Sequence, residues 1–320
     1  MWRYVAFFQM IFNPAAGGGN SVATWHIVKD ELNRRGVDFR VRTSKHPGHT
    51  VELAHQIAKF NDRDDTVLLV IGGDGTLNQA VTGIREAGNT TMPVAYVPAG
   101  SGNDFARANR ISKDPLTVLD AILDTQAPVR VDIGEFHERT RDQHGYFVNN
   151  VGVGFDAAVV DAANQSRLKG FLNRVHLGTL AYILSIFGVL FNRHAFEARV
   201  HVGDEHDIIP NAYICTTTNH PYFGGGFPIM PGASVIDGQL DLIVVEERHW
   251  WIFIFLCAQI LLRKKLDFEG IHHYRAAKLY VETSSLEFGQ MDGEELGTRP
   301  FELEFNVTDQ LFWMGDLNPQ

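Results

Sequence analysis

Along the first 130 positions, apolar residues fall alternately into short unbroken runs and into sets with helical spacing. Trp2–Phe12 is an apolar run that ends at Asn13-Pro14 and is followed by Gly17-Gly18-Gly19. Val22, Trp25, Val28 and Leu32 share one face of a predicted helix running from about Ser21 to a stop at Gly36. Val37, Phe39 and Val41 alternate as a strand, and Val51 to Phe60 reads as a helix. Thr66 to Val70 is apolar enough for a strand covered on both faces. Pro93 to Val97 predicts another strand, and Leu116, Leu119 and Leu123 mark one more helix. Such alternation predicts an open parallel sheet with helices on its faces, an α/β fold.

From about Val129 the pattern changes. The runs Val129–Ile133, Tyr146–Val151, Ala198–Val202, Tyr213–Thr217, Leu240–Val245, Lys278–Val281 and Phe301–Phe305 are short, strand-like and separated by turn residues. They predict a second, mostly antiparallel domain. Two longer apolar segments, Val175–Phe191 and Trp250–Leu262, interrupt it. Both fall short of the roughly 18 to 20 apolar residues that span a bilayer.

The densest chemistry lies at Gly72-Gly73-Asp74-Gly75-Thr76-Leu77-Asn78, where the Thr66 strand turns into a helix carrying Leu77, Val81 and Ile84. Glycines let the backbone approach an anion, and the unpaired N–H groups of a helix start face it, so the turn predicts a phosphate site. It is not a Walker loop, because no Lys-Ser or Lys-Thr follows the last glycine. Asp74 sits mid-turn and is expected to act through Mg²⁺, water or a substrate hydroxyl, since a bare carboxylate repels polyphosphate. Gly100-Ser101-Gly102-Asn103-Asp104 forms a second such turn, with Asn103 or Asp104 expected to cap the helix it opens. Asn13-Pro14 with its glycines forms a third, and Thr43 ends the second strand. All follow predicted strands, so they gather at the carboxyl edge of the sheet, where open α/β sheets bind ligands. Gly152-x-Gly154 imitates a dinucleotide fingerprint but lies in the β-rich half, and that reading is rejected.

Two late turns carry acids: Ser234-Val-Ile-Asp237-Gly238-Gln239 and Met291-Asp292-Gly293-Glu294. Each alone is an ordinary Asp-Gly turn. Beside a phosphate site, Asp292 and Glu294 become candidate general bases for phosphoryl transfer to an alcohol.

Composition narrows the partners. The net charge is −10, which excludes a broad nucleic-acid footprint. The cysteines, Cys215 and Cys257, make neither a disulfide framework nor a metal-ligand spacing, which fits a cytoplasmic chain. Arg167, Lys169, Arg174 and Arg263-Lys264-Lys265 flank the two apolar segments and suit peripheral contact with a membrane surface.

Taken in order, Asn13-Pro14…Gly17-Gly18, Gly72 to Asn78, Pro98 to Arg107, Asp237-Gly-Gln-Leu-Asp241 and Asp292-Gly293-Glu294 resemble the soluble bacterial diacylglycerol/lipid kinase family. The resemblance implies an ATP- and Mg²⁺-dependent lipid kinase. It places ATP on Asn13, Pro14, Ala15, Ala16, Gly17, Thr43, Gly72, Gly73, Asp74, Gly75, Thr76, Leu77, Asn78, Gln79 and Ser101. Serine at 101 replaces the family's usual threonine and keeps the hydroxyl. It places a Mg²⁺-and-water network at Ser234, Asp237 and Gln239, and the proton acceptor at Glu294, with Asp292 close behind. The implied fold is a nucleotide-binding α/β domain with a parallel sheet (1–130), then a mostly antiparallel β-sandwich (131–305), with 306–320 returning to the first. The implied acceptor is a lipid hydroxyl at a membrane surface, most simply that of diacylglycerol. An NAD kinase-like enzyme and a non-catalytic nucleotide- or lipid-binding regulator are the alternatives, and a homodimer is left open.

Overall fold

The computed structural model describes residues 7–154, 195–247 and 269–315. Both apolar segments, Val175–Phe191 and Trp250–Leu262, and their basic neighbours lie outside these residues. The chain divides into two compact units, Met1–Val131 with Asp309–Gln320, and Asp132–Thr308.

The first unit alternates strand and helix: β1 (Phe7–Phe12), α1 (Asn20–Arg35), β2 (Phe39–Thr43), α2 (His49–Lys59), β3 (Thr66–Gly72), α3 (Asp74–Glu86), β4 (Val94–Pro98), α4 (Asp104–Ala108) and α5 (Pro115–Asp124). The four strands are parallel in the order β4-β3-β1-β2. Every residue of β3 and β4 is buried, as helices on both faces require, so their sequences read as continuous apolar runs. On one face Val28 and Leu32 of α1 and Val118, Leu119 and Ile122 of α5 pack against Met10, Leu69, Ile71 and Val97. Asp114 caps α5 by accepting the Thr117 N–H at 2.8 Å, and Pro115 follows at the position where its missing N–H costs nothing.

The end of the chain belongs to this unit. Phe312 pairs in parallel with Val94, the Gln310 amide donates to the Met92 carbonyl at 2.9 Å, and Trp313 is fully buried. The Trp313 indole N–H donates to the Ile122 carbonyl at 2.9 Å, so the side chain closes the core and satisfies a helix end at once. Trp313→Ala is expected to lower unfolding free energy by about 3–5 kcal/mol. Urea denaturation checks this; an unchanged midpoint would show that the return strand adds nothing to the core.

The second unit is antiparallel: β5 (Val129–Glu138), β6 (Gln143–Phe147), β7 (Asn150–Gly154), β8 (Phe196–Val202), β9 (Glu205–Thr218), the two-residue β10 (Tyr222–Phe223) and β11 (Phe227–Pro228), β12 (Leu240–Glu246), β13 (Ile271–Ala276), β14 (Lys278–Thr283), β15 (Glu287–Met291), β16 (Glu294–Arg299) and β17 (Glu302–Phe312). Neighbours run β16-β15-β7-β9-β8-β14-β17, with β12 beside β9 and β6 beside β5. Alternate residues such as Val151, Val153, Ala198, Val200, Leu240, Leu242, Val244, Leu303 and Phe305 point into one core, giving a β-sandwich-like unit. The run Tyr146–Val151 is not one strand. The chain breaks between β6 and β7, where the N–H groups of Val148, Asn149 and Asn150 turn onto a carboxylate instead of a ladder partner. Strand β7, which carries Gly152 and Gly154, is antiparallel to β9 and β15, so no Rossmann crossover exists there.

Candidate functional site

In the first unit, three glycine-bearing loops meet at the carboxyl ends of β1, β3 and β4. The Asn13 side-chain amide donates to Thr76 Oγ1 at 2.9 Å, its Oδ1 accepts the Ala15 N–H at 3.0 Å, and its carbonyl accepts the Ser21 hydroxyl at 2.8 Å. Gly17 presses so closely on the third loop that a methyl built on it would stand 2.4 Å from the Ala99 carbonyl oxygen. The Ala99 N–H donates to the Gly72 carbonyl at 2.7 Å. Beyond that bond the backbones of Gly73 and Gly100 touch: a methyl on Gly100 would lie 2.5 Å from the Gly73 Cα. Only glycine permits such an approach, which brings the Gly100 loop against the start of α3.

Asp74 welds this arrangement. Its two carboxylate oxygens accept the N–H groups of Asp104 (3.1 Å) and Phe105 (3.2 Å), capping α4 from a loop thirty residues away. The expected cap by Asn103 or Asp104 therefore does not form. Asn103, at φ +53°, folds its amide back on Gly100 through two bonds of 2.9 Å, and Asp104 pairs with Arg107. Burial pushes the Asp74 carboxyl up to about 6, and the nearby Asp104 charge adds to this; the N–H groups of Phe105, Asp104 and Asn103 oppose it. Tyr96 lies fully enclosed beneath, its phenol held protonated by burial, and donates towards the Gly72 carbonyl (3.2 Å) and Asn103 Oδ1 (3.3 Å).

Around this centre, Pro14, Ala16, Gly17, Gly73, Gly75 and Gln79 are half-buried, while Ala15, Thr43 and Ser101 are exposed. Thr76, Leu77 and Asn78 are buried in α3. Thr43 ends β2 opposite Phe12, so it stands one strand away from the Asn13 loop. Gly100→Ala is expected to force the two glycine loops apart. Nucleotide affinity of the folded protein should fall about tenfold or more, equivalent to about 1.4 kcal/mol, and the thermal midpoint should fall too, since overpacking against backbone costs about 1–3 kcal/mol. Calorimetric titration with an ATP analogue checks this, and unaltered affinity would exclude the loop contact from binding.

The second unit carries the two acidic turns. Met291 pairs with Glu294 across a two-residue turn, Asp292-Gly293, with φ of +48° and +84°. Positive φ at both positions is what a type I′ hairpin demands. The Asp292 carboxylate is buried and accepts three backbone N–H groups: Val148 (2.9 Å), Asn149 (3.0 Å) and Asn150 (2.8 Å). Gln290 braces the same turn, donating to Asn150 Oδ1 at 2.7 Å and accepting the Gly293 N–H at 3.1 Å. Glu294, two residues on, is exposed.

In the other turn, Asp237 Oδ1 accepts the Gln239 N–H at 3.1 Å, and its second oxygen receives the Arg275 guanidinium. Asp132 of β5 ties the turn down by accepting the Gly238 N–H at 2.7 Å. Ser234, Asp237 and Gln239 offer a hydroxyl, a carboxylate and an amide, oxygen donors of the kind Mg²⁺ takes, while the Arg275 guanidinium holds one oxygen of Asp237 in this structure. Sequence reading gave no role to Tyr96, Asn149, Asn150, Gln290 or Asp132. None has a periodic signal; each is a lone polar residue whose partner is distant in the chain or turns on a loop shape.

A parallel α/β unit with convergent glycine loops, joined in one chain to an antiparallel unit with acidic turns, defines a class of phosphotransferase. Comparison with known proteins agrees: residues 8–136 match the diacylglycerol kinase catalytic domain, and residues 149–309 match the YegS C-terminal NAD kinase beta sandwich-like domain. The chain belongs to the diacylglycerol kinase-like lipid kinase family. It is 30% identical over 299 residues to YtlR of Bacillus subtilis (strain 168), provisionally named as a lipid kinase, covering 92% of this chain and 94% of that one. It is 31% identical over 300 residues to a diacylglycerol kinase of Staphylococcus epidermidis (strain RP62A), covering 91% of this chain and 87% of the relative. A crystal structure from Bacillus anthracis str. Sterne, provisionally named as a diacylglycerol kinase, superposes with a TM-score of 0.74 over 99% of this chain and 98% of that one. At 20% identity that likeness speaks for the fold alone. No helix among the described residues is long and apolar enough to cross a membrane.

Proposed function

We propose that the protein transfers the γ-phosphoryl group of ATP to the primary hydroxyl of a membrane lipid, with diacylglycerol as acceptor and phosphatidate as product. The observation that carries this reading is the junction of the Asn13, Gly73 and Gly100 loops at the start of α3, where the Asn13 amide donates to Thr76 Oγ1 and the Gly73 and Gly100 backbones meet. Asn13 to Gly17, Thr43, Gly72 to Gln79 and Ser101 would hold the nucleotide. Glu294 accepts the hydroxyl proton as the lipid oxygen bonds to the γ-phosphorus and the bond to ADP breaks. Asp292 is a poorer candidate, because three N–H groups already take three of its about four acceptor positions; its part is to shape the turn that presents Glu294. Ser234, Asp237 and Gln239 would hold Mg²⁺, which when bound offsets the charge of the polyphosphate. Diacylglycerol resides in a bilayer, so the enzyme would work in peripheral contact with a membrane surface.

The test is transfer of labelled phosphate from Mg-ATP to a panel of lipids in mixed micelles, with NAD in a parallel reaction. Labelled phosphatidate supports the reading. Label in another lipid changes the acceptor and keeps the chemistry. Label in NAD alone overturns it, and nucleotide binding without turnover on any acceptor favours a regulator.

A further inference from the structure

Away from the two acidic turns, the described residues contain two clusters in which three histidine or carboxylate ligand atoms lie within 4.8 Å of one another: His46, His49 and Glu52, and His137, Asp142 and His144. The first is poorly set for a metal. His49 Nδ1 accepts the Lys45 N–H at 3.0 Å, which places the proton of the neutral ring on Nε2, the nitrogen an ion would need. The second has the opposite character.

We propose that His137, Asp142 and His144 form a binding site for a divalent transition-metal ion of the zinc type. His137 on β5 and His144 on β6 are direct cross-strand partners, so both rings leave the same face of the hairpin. The rings are stacked, with centroids 3.9 Å apart and 10° between their planes. Their Nε2 atoms converge on one oxygen of Asp142, at 2.8 Å and 3.4 Å. Asp142 ends the connecting turn at φ +52°, which folds its carboxylate back over the pair.

As a surface ion pair the cluster would contribute little. Two neutral imidazoles and a carboxylate are a donor set that a cation of the zinc type takes, and bonds of about 2.0–2.2 Å in a tetrahedron put donor atoms about 3.3 Å apart, between the nitrogen–oxygen distances of 2.8 Å and 3.4 Å. Each ring would turn out of the stack to aim its Nε2 lone pair at the ion, which would replace the protons now directed at Asp142. Two imidazoles select Zn²⁺, Ni²⁺, Co²⁺ or Cu²⁺ over Mg²⁺ and Ca²⁺, which prefer oxygen. The site is therefore distinct from any Mg²⁺ used with ATP, and it stands or falls independently of the lipid kinase reading. Bound there, the ion would cross-link both strands and the turn.

The experiment is calorimetric titration of chelator-treated full-length protein with ZnCl2 and, separately, MgCl2. Co²⁺ absorption would report imidazole coordination. One Zn²⁺ is expected per chain at this site, with Mg²⁺ unable to displace it. Loss of an outer-shell partner alone typically weakens metal binding about 10- to 100-fold, so a His137→Ala/His144→Ala variant should lose at least that much. Its thermal midpoint without metal should match the parent's, because both side chains sit at the hairpin's outer end, and Zn²⁺ should raise the midpoint of the parent only. His46→Ala/His49→Ala should leave this binding intact. Equal Zn²⁺ affinity and stoichiometry in the His137/His144 variant, or binding lost instead in the His46/His49 variant, would overturn the proposal.

Discussion

Asp74→Asn is expected to lower kcat/KM about 100-fold while leaving the fold at least as stable as the parent at pH 7. The activity loss follows from geometry. One carboxylate holds the N–H groups of Asp104 and Phe105, and so fixes the Gly100 loop against the Gly73 loop. An asparagine has a single acceptor oxygen and turns an amide N–H towards the second donor. The loops then separate, and a displacement of about 1 Å in a positioning element costs about 10²-fold in rate. The stability argument runs the other way. The carboxyl rises from 3.8 to about 6 on folding, chiefly through burial. The folded protein therefore binds more protons than the unfolded chain between those values, and stability declines as pH rises through that window. At pH 7 the ionised group costs on the order of 3 kcal/mol in the nucleotide-free protein, a penalty that Asn lacks and that offsets the about 1–3 kcal/mol lost at the N–H it leaves unpaired. The same group should give kcat/KM an acid limb: activity falls as pH drops through about 6, because protonation removes an acceptor from the loop junction. The pH profile of the parent should show this limb and that of Asp74→Asn should not. A variant with full activity, or one that simply unfolds, would remove Asp74 from the role assigned to it.

The alternation of apolar runs and helical spacings carried the first unit because a parallel sheet covered on both faces leaves little choice: β3 and β4 must be apolar throughout, and their loops must open at one edge. The meeting of the Asn13, Gly72 and Gly100 loops followed from the same reasoning. The second unit was legible only where one strand face enters the core. Strand β13 (Ile271–Ala276) went unread because its side chains are only half-buried or exposed, so no alternation survives. Strands β15 and β16 were hidden for another reason. Gly289 faces the Phe301 ring, and a methyl there would stand 2.2 Å from it, so an apolar position is filled by a neighbour's side chain. The partner of Asp74 was equally invisible. Nothing local shows that this carboxylate will also cap a helix thirty residues on; the Gly73–Gly100 approach brings it there, and that exists only in the fold.

Glu294→Gln should lower kcat about 10²- to 10⁴-fold, the range a general base contributes, with nucleotide affinity and thermal stability little changed. The side chain is exposed at the first residue of β16, beyond a type I′ turn whose conformation is set by other groups: Asp292 on three backbone N–H groups and Gln290 on Asn150 and Gly293. Removing the charge at 294 leaves those bonds in place. Asp292→Asn makes the contrasting case. It trades an acceptor for a donor opposite buried N–H groups, where an unsatisfied group costs about 1–3 kcal/mol, so it should lower the melting temperature along with activity. The two variants together separate proton acceptance from turn-building. If Glu294→Gln retains most of its kcat and Asp292→Asn loses activity with no loss of stability, the assignment reverses and Asp292 is the base. If both lose activity only in proportion to lost folded protein, neither accepts the proton, and the acceptor must be sought elsewhere in the chain.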